Sequence, residues 1–263
     1  MHPMLNIAVR AARKGGSIIT HSYDIQNKTM ENQHNSRNNI ISNMMKNVHK
    51  SMIEIIHKAY PDHYIYTINA QDNILQDTRM IWIINILDGI NNFKKKFPHF
   101  CISIVVLIKN KTELSVIYDP LRNELFTAVK GQGAQLNGYR MRCSEVNSID
   151  NSTIGINLPN NIEHHVKYDF KIIQLLISQG INIICSGSTV LDLAYLSTGR
   201  LDGILHYTFQ KYNVFAGALQ IRESGGIISE LTGDCYDYLN SNTIFSSNSK
   251  LLRLLISITR QLQ

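Results

Sequence analysis

No apolar run in this chain is long enough to cross a bilayer; the longest are Met80–Leu87, interrupted by Asn85, and Ile102–Ile108. Nor do residues 1–20 carry a secretory signal: Arg10, Arg13 and Lys14 sit among small apolar side chains, and no hydrophobic stretch leads to a cleavage site. They read as a folded amphipathic helix. The four cysteines, Cys101, Cys143, Cys185 and Cys235, have no paired spacing, which argues against a disulfide framework or a zinc site and for reduced thiols in a cytoplasm. Charge is sparse as well, at 17% of residues against 44% hydrophobic. There is no internal repeat and no clean linker. Membrane, secreted and disordered classes are therefore excluded, and 263 residues suffice for one large domain or two lobes sharing a core.

What is present is a basic balance, formally +6, whose only dense run is Lys94-Lys95-Lys96. That run permits weak electrostatic contact with nucleic acid, but a solvated basic loop is the better explanation. About a quarter of the residues are Ile or Asn, an excess that fits drift in an AT-rich genome.

Periodicity gives an alternating order. Helical spacing of Leu5, Ala8, Val9, Ala12 and Ile19 predicts a helix over 3–22 with Pro3 in its first turn. The polar stretch 24–40 predicts a loop or weak hairpin. Ser42 is placed to cap a second helix that buries Met45, Val48, Met52, Ile55 and Ile56 and stops before Pro61. Strands are expected at 63–67, 80–87, 100–109, 113–118 and 124–129, as an antiparallel meander joined by turn-rich segments. From 153 onward strands (153–157, 181–185, 203–207, 226–230, 243–246) alternate with helices (167–178, 189–197, 214–223, 249–261). The fold class is α/β in stacked αβαβα layers. The expected division is a lobe of two helices and antiparallel sheet over 1–140 and an alternating lobe over 141–263, integrated as one domain.

One segment is specific enough to point to a family. The run Trp82-Ile83-Ile84-Asn85-Ile86-Leu87-Asp88-Gly89-Ile90-Asn91-Asn92-Phe93 resembles the inositol monophosphatase signature W-I/V-I/V-D-P-x-D-G-T-x-N-F. Gly187-Ser188-Thr189-Val190-Leu191-Asp192-Leu193-Ala194-Tyr195 is similar to that family's G-S/T-A-A-x-D-L-A-Y helix start. Tyr212-Asn213-Val214-Phe215-Ala216-Gly217 resembles W-D-x-A-A-G, and Arg222-Glu223-Ser224-Gly225-Gly226 resembles R-E-A-G-G. The opening residues 1–10 and the block 118–142 resemble bacterial members that also serve as Nus factors in transcription antitermination of ribosomal RNA.

The resemblance implies a magnesium-dependent phosphomonoesterase. Magnesium wants near-octahedral oxygen ligands, and in such enzymes it activates a water and stabilises the leaving alkoxide. Carrying the family's roles over position by position shows how little of that machinery is left. Ile68 and Asn69 stand where two glutamates belong, Asn85 replaces the first aspartate of the signature, and Asn213 replaces the aspartate of W-D. Asp88 is the one ligand carboxylate retained, with the carbonyl ligand falling at Leu87. The water-orienting threonine is Ile90, and its partner aspartate is Met45.

An asparagine oxygen can still coordinate magnesium but brings no charge, and Ile68 and Met45 bring no ligand. No catalytic residue is expected, and no cofactor. Asp72 and Asp77 lie in the loop after Ala70 and are poorly spaced to compensate. Gly89, Gly187, Ser188, Thr189 and His206 are the remnants of the substrate pocket. Each also has an ordinary explanation: a tight turn for Asp88-Gly89, helix capping by Ser188, a solvated strand end for His206, scaffold for Asp192.

Three readings follow: a residual phosphatase of inositol monophosphate, a non-catalytic binding protein, or a relic. The binding reading is preferred because the glycines, turns and core pattern are intact while the ligand positions are not. Its partners, by resemblance, are a NusA-like factor and RNA polymerase, with RNA beside them and a homodimer as the assembly.

Overall fold

The computed structural model describes residues 2–28, 34–68, 80–157, 166–207, 211–238, 241 and 243–260. Pro3 opens α1 (Pro3–Lys28), whose buried stripe of Met4, Ala8, Ala11, Ala12, Ile19 and Tyr23 follows the helical period. α2 (His34–Ala59) buries Ile41, Met44, Val48, Met52 and Ile56 against the same core and ends just ahead of Pro61. Two expectations fail here. Residues 24–28 and 34–40 of the polar stretch are helical, and Ser42 lies inside α2 instead of capping it. That stretch contains no proline or glycine to break a helix, and α1 packs along α2, so tertiary contact overrides its poor intrinsic preference.

Among the described residues the first sheet has seven strands in sequence order: β1 (Tyr64–Thr67), β2 (Met80–Asp88), β3 (Cys101–Ile108), β4 (Lys111–Asp119), β5 (Glu124–Val129), β6 (Gly133–Leu136) and β7 (Tyr139–Arg140). It is not wholly antiparallel, because β1 runs parallel to β2. The short strands β6 and β7 and the one-and-a-half-turn α3 (Ile90–Lys94) have too few residues to show a period and were not anticipated.

Both faces of this sheet are covered, so β2 is apolar apart from Asn85 and Asp88. Trp82 and Ile84 point into the core under α1 and α2, while Ile81 and Ile83 point to the opposite core. By this alternation Asn85 shares the face of Ile81 and Ile83, and Asp88 should face the other way. The register prevents it. Asn85 pairs with Ser103 and Asp88 with Cys101, so β2 holds one extra residue between them. This bulge returns Asp88 to the face of Asn85.

The second sheet has the order β11-β12-β10-β8-β9, made of β8 (Thr153–Asn157), β9 (Asn182–Ile184), β10 (Gly203–Tyr207), β11 (Ile227–Ser229) and β12 (Thr243–Ser247). Its helices are α4 (Val166–Ser178), α5 (Thr189–Ser197), α6 (Lys211–Glu223) and α7 (Ser249–Thr259). Leucines and alanines of α5 and α6 fill the space between the sheets, while α4 and α7 cover the far face of the second. The layers are therefore α1/α2, first sheet, α5/α6, second sheet, α4/α7: an αβαβα sandwich. All four cysteines are free, Cys101 and Cys143 buried, Cys185 and Cys235 exposed.

Candidate functional site

Asp88 ends β2 with its carboxylate buried beneath the N-terminus of α5. Its Oδ2 accepts the Ser188 hydroxyl at 2.5 Å and the Val190 backbone N–H at 3.0 Å. An anion is favoured there, because the first N–H groups of a helix lack internal partners. Ser188 also takes the Leu191 N–H and so caps α5. The chain's own carboxylate fills the anion position that its helix start offers. Burial pushes the Asp88 carboxyl up from its ordinary value, and the Ser188 and Val190 donors oppose that only in part.

The other oxygen of Asp88 meets an amide. Asn213 Nδ2 donates to Asp88 Oδ1 at 3.3 Å, Asn85 Nδ2 donates to Asn213 Oδ1 at 2.8 Å, and the Leu87 N–H donates to Asn85 Oδ1 at 3.2 Å. This is a closed chain in which each donor faces an acceptor, and all three side chains are buried. Both Asn side chains aim an N–H group, not an oxygen, toward the carboxylate end of the chain.

Magnesium, which the family implies, requires several oxygens converging on one point, and this set does not supply them. Among the described residues Asp88 is the one carboxylate of this set, both of its oxygens accept donors, and Ile68 is buried in the apolar core between the sheets. Among the described residues no three His, Cys, Asp or Glu side chains converge as a metal site. Asn69, Asp72 and Asp77 lie outside the described residues. The donor set of the described residues does not fit the ion.

Two glycines hold the turn and the helix start in place. Gly89 has φ +83°, and a Cβ there would meet the His99 carbonyl oxygen at 2.8 Å. Gly187 has φ +80°, and a Cβ would meet Asn92 Oδ1 at 2.9 Å. Neither position tolerates a side chain. Asn92 bridges the two regions, its Nδ2 donating to the carbonyls of His99 and Ser186 at 2.8 Å each. It stands within the signature segment, yet its bridging role has no signal in one sequence.

The remaining expected residues are scattered. Thr189 Oγ1 accepts Asn157 Nδ2 at 2.9 Å. Ile90 is the half-exposed first residue of α3, and Met45 packs on the core under α2. Leu87 is buried in that same core. His206 is not solvated: it is fully buried in β10, between neighbouring strands, with Nε2 3.3 Å from Asp192 Oδ2. His99 Nε2 lies 3.9 Å from Asp192 Oδ1. Burial by itself would raise the Asp192 carboxyl, but His206, His99 and Ser186 outweigh it and hold it below its ordinary value. His99 had no sequence signal, because only the tertiary fold brings it to α5.

A sandwich of this layering, with a β2 bulge presenting Asp88 to the start of α5, defines a sugar-phosphatase type of protein. The chain matches the inositol monophosphatase family over residues 1–263 and belongs to it. It is 49% identical over 261 residues to the Nus factor SuhB of Buchnera aphidicola subsp. Schizaphis graminum, covering 97% of this chain and 96% of that one. It is 46% identical over 262 residues to the Nus factor SuhB of Buchnera aphidicola subsp. Baizongia pistaciae, covering 100% and 98%. Among solved structures, the extragenic suppressor protein suhB of Bartonella henselae superposes with a TM-score of 0.86 at 25% identity, covering 98% of each chain.

Proposed function

We propose that this chain is a catalytically inactive member of the inositol monophosphatase family that acts as a Nus factor in transcription antitermination of ribosomal RNA. The observation that carries the inactivity is the closed chain Leu87–Asn85–Asn213–Asp88. Where an active relative needs several anionic oxygens around divalent ions, this protein has two amides hydrogen-bonded to each other and to the one carboxylate left. The Ser188, Val190 and Asn213 donors offset part of the cost of burying Asp88 and engage both of its oxygens without a metal. Ile90, in the place of a proton-accepting group, cannot activate a water. Loss of one general base costs about 10²–10⁴-fold, and loss of the ions that generate the nucleophile compounds it.

The binding role rests on similarity to proteins named Nus factor SuhB across the whole chain. Its partners would be a NusA-like factor and RNA polymerase, with the protein as a homodimer in a cytoplasm. Among the described residues no helix is long and apolar enough to cross a membrane.

Two measurements test this. Incubated with inositol 1-phosphate across a magnesium series, the purified protein releases no phosphate above the buffer blank; magnesium-dependent release would favour the residual phosphatase reading. Used as bait in lysate, it recovers NusA-like factor or polymerase subunits, and substitutions remote from Asp88 abolish the recovery. Failure to recover either at low salt would leave the relic reading.

A further inference from the structure

A second concentration of chemistry lies on the opposite side of α6 from Asn213. Phe215, Leu219 and Arg222 share one face of that helix, and Asn213 is about 200° around it from Phe215. That face, the β3–β4 turn, the end of β5 and Tyr238 enclose a cavity of about 480 Å³. The volume falls in the range of small-ligand sites.

The walls divide into two kinds. One is aromatic: Tyr238 stacks on Phe215 with ring centroids 4.6 Å apart and planes inclined by 21°, and the Arg222 guanidinium lies over the Tyr238 ring at 5.4 Å. Phe215 in turn stacks near Tyr212, so the platform is anchored in the core and not a loose surface ring. The other wall is cationic, with Lys111 and Lys130 at the rim, both exposed.

Among the described residues the one acidic lining residue, Glu223, keeps its charge but is bound elsewhere, and the three cations outnumber it. Glu223 spends both oxygens on the β5–β6 turn, Oε1 accepting the Gly131 N–H and Oε2 the Gly133 N–H, each at 2.8 Å. Among the described residues no carboxylate lies within ion-pair distance of Lys111, Lys130 or Arg222. Three cations thus border a cavity whose floor is a stack of planar groups.

We infer that this cavity is a nucleotide site: a base stacks on the exposed Arg222 guanidinium, the outer member of the Arg222–Tyr238–Phe215 stack, and its phosphate lies against Lys111 and Lys130. Guanidinium and aromatic planes accept any base face, and lysine is a point charge suited to phosphate. An acidic peptide would use the cations and leave the platform idle; inorganic phosphate would do the same. A nucleotide engages both walls. The ligand is either a free nucleotide or one residue of single-stranded RNA. The inference uses nothing from the Asp88 site and does not depend on the transcription role.

Fluorescence anisotropy at low salt tests it with two probes, a labelled adenosine monophosphate and a 5′-labelled single-stranded RNA of about 8 nucleotides. Saturable binding of at least one is expected, with adenosine monophosphate competing and inorganic phosphate competing poorly. Comparable affinity for both probes assigns a free nucleotide; much tighter RNA binding assigns a strand. Arg222→Ala should weaken binding about tenfold, and Arg222→Lys should restore only part, because it returns the charge without the plane. Lys111→Gln with Lys130→Gln should reduce the slope of log affinity on log salt by about two. Thermal melts confirm that each variant is folded. Binding of neither probe would overturn the inference. So would equal competition by inorganic phosphate, or equal loss when Lys94, Lys95 and Lys96 are changed to Gln in place of the cavity residues.

Discussion

Restoring one lost carboxylate should harm this protein before it helps catalysis. In Asn213→Asp the new side chain keeps the Asn85 Nδ2 bond on one oxygen and turns the other toward Asp88 Oδ1, where an N–H now sits at 3.3 Å. Two unit negative charges at that 3.3 Å separation repel by about 5 kcal/mol at an effective dielectric constant near 20. The pair can avoid this by holding one proton between them. Keeping a carboxyl of ordinary pKa near 4 protonated at neutral pH costs about 4 kcal/mol, which sets the size of the effect. The expected loss of unfolding free energy is therefore about 4 kcal/mol at neutral pH.

The sign with pH follows from linkage. The pair binds a proton more tightly in the folded than in the unfolded chain, so the variant regains stability on acidification and loses it as pH rises through the raised folded pKa. Urea unfolding of the parent and Asn213→Asp proteins at neutral pH and at about pH 5 measures both points, with the deficit falling to about 1–2 kcal/mol at the lower value. Equal stability at neutral pH, or a deficit independent of pH, would refute the closed-chain account of the site.

Three further outcomes follow from the structure. Gly89→Ala should cost about 2–3 kcal/mol because strain at φ +83° adds to a clash with the His99 carbonyl, while Gly131→Ala, at φ +72° but with open space around it, should cost about 1 kcal/mol; paired thermal melts compare them. Asp192 has a depressed folded pKa, so it contributes stability above its unfolded pKa that is lost as pH falls through the folded one; Asp192→Asn should flatten that acid limb of a denaturation series, whatever it costs at neutral pH. Reverting Ile68→Glu, Asn85→Asp, Asn213→Asp, Ile90→Thr and Met45→Asp together should create a calorimetrically detectable magnesium site, and single reversions should not, because groups that act as a unit fail together.

Much of this protein was legible without coordinates. The periods of 2 and 3.6 residues placed the long strands and the later helices to within a few positions, because burying an apolar face imposes that spacing on the residues themselves. They ended the first helix at residue 22 and started the second after Ser42, both well short of the observed extent. The departures at Ile68, Asn85, Ile90 and Asn213 were also plain, since replacing a carboxylate by an amide or an alkyl group is a change of chemistry that the sequence states outright. What the sequence could not decide was geometry set by contacts between distant segments. The helical state of residues 24–28 and 34–40 depends on α1 packing along α2, not on their own composition. The bulge in β2 depends on how Asn85 and Asp88 pair with β3, and it alone turns Asp88 toward α5. His206 looks like a free strand end until the neighbouring strands and Asp192 enclose it. Above all, the two asparagines read singly as lost ligands; only the tertiary structure joins them, 128 residues apart, into a hydrogen-bonded chain ending on Asp88. Local periodicity is written in neighbouring residues, whereas the partner of a buried polar group is chosen by the whole fold.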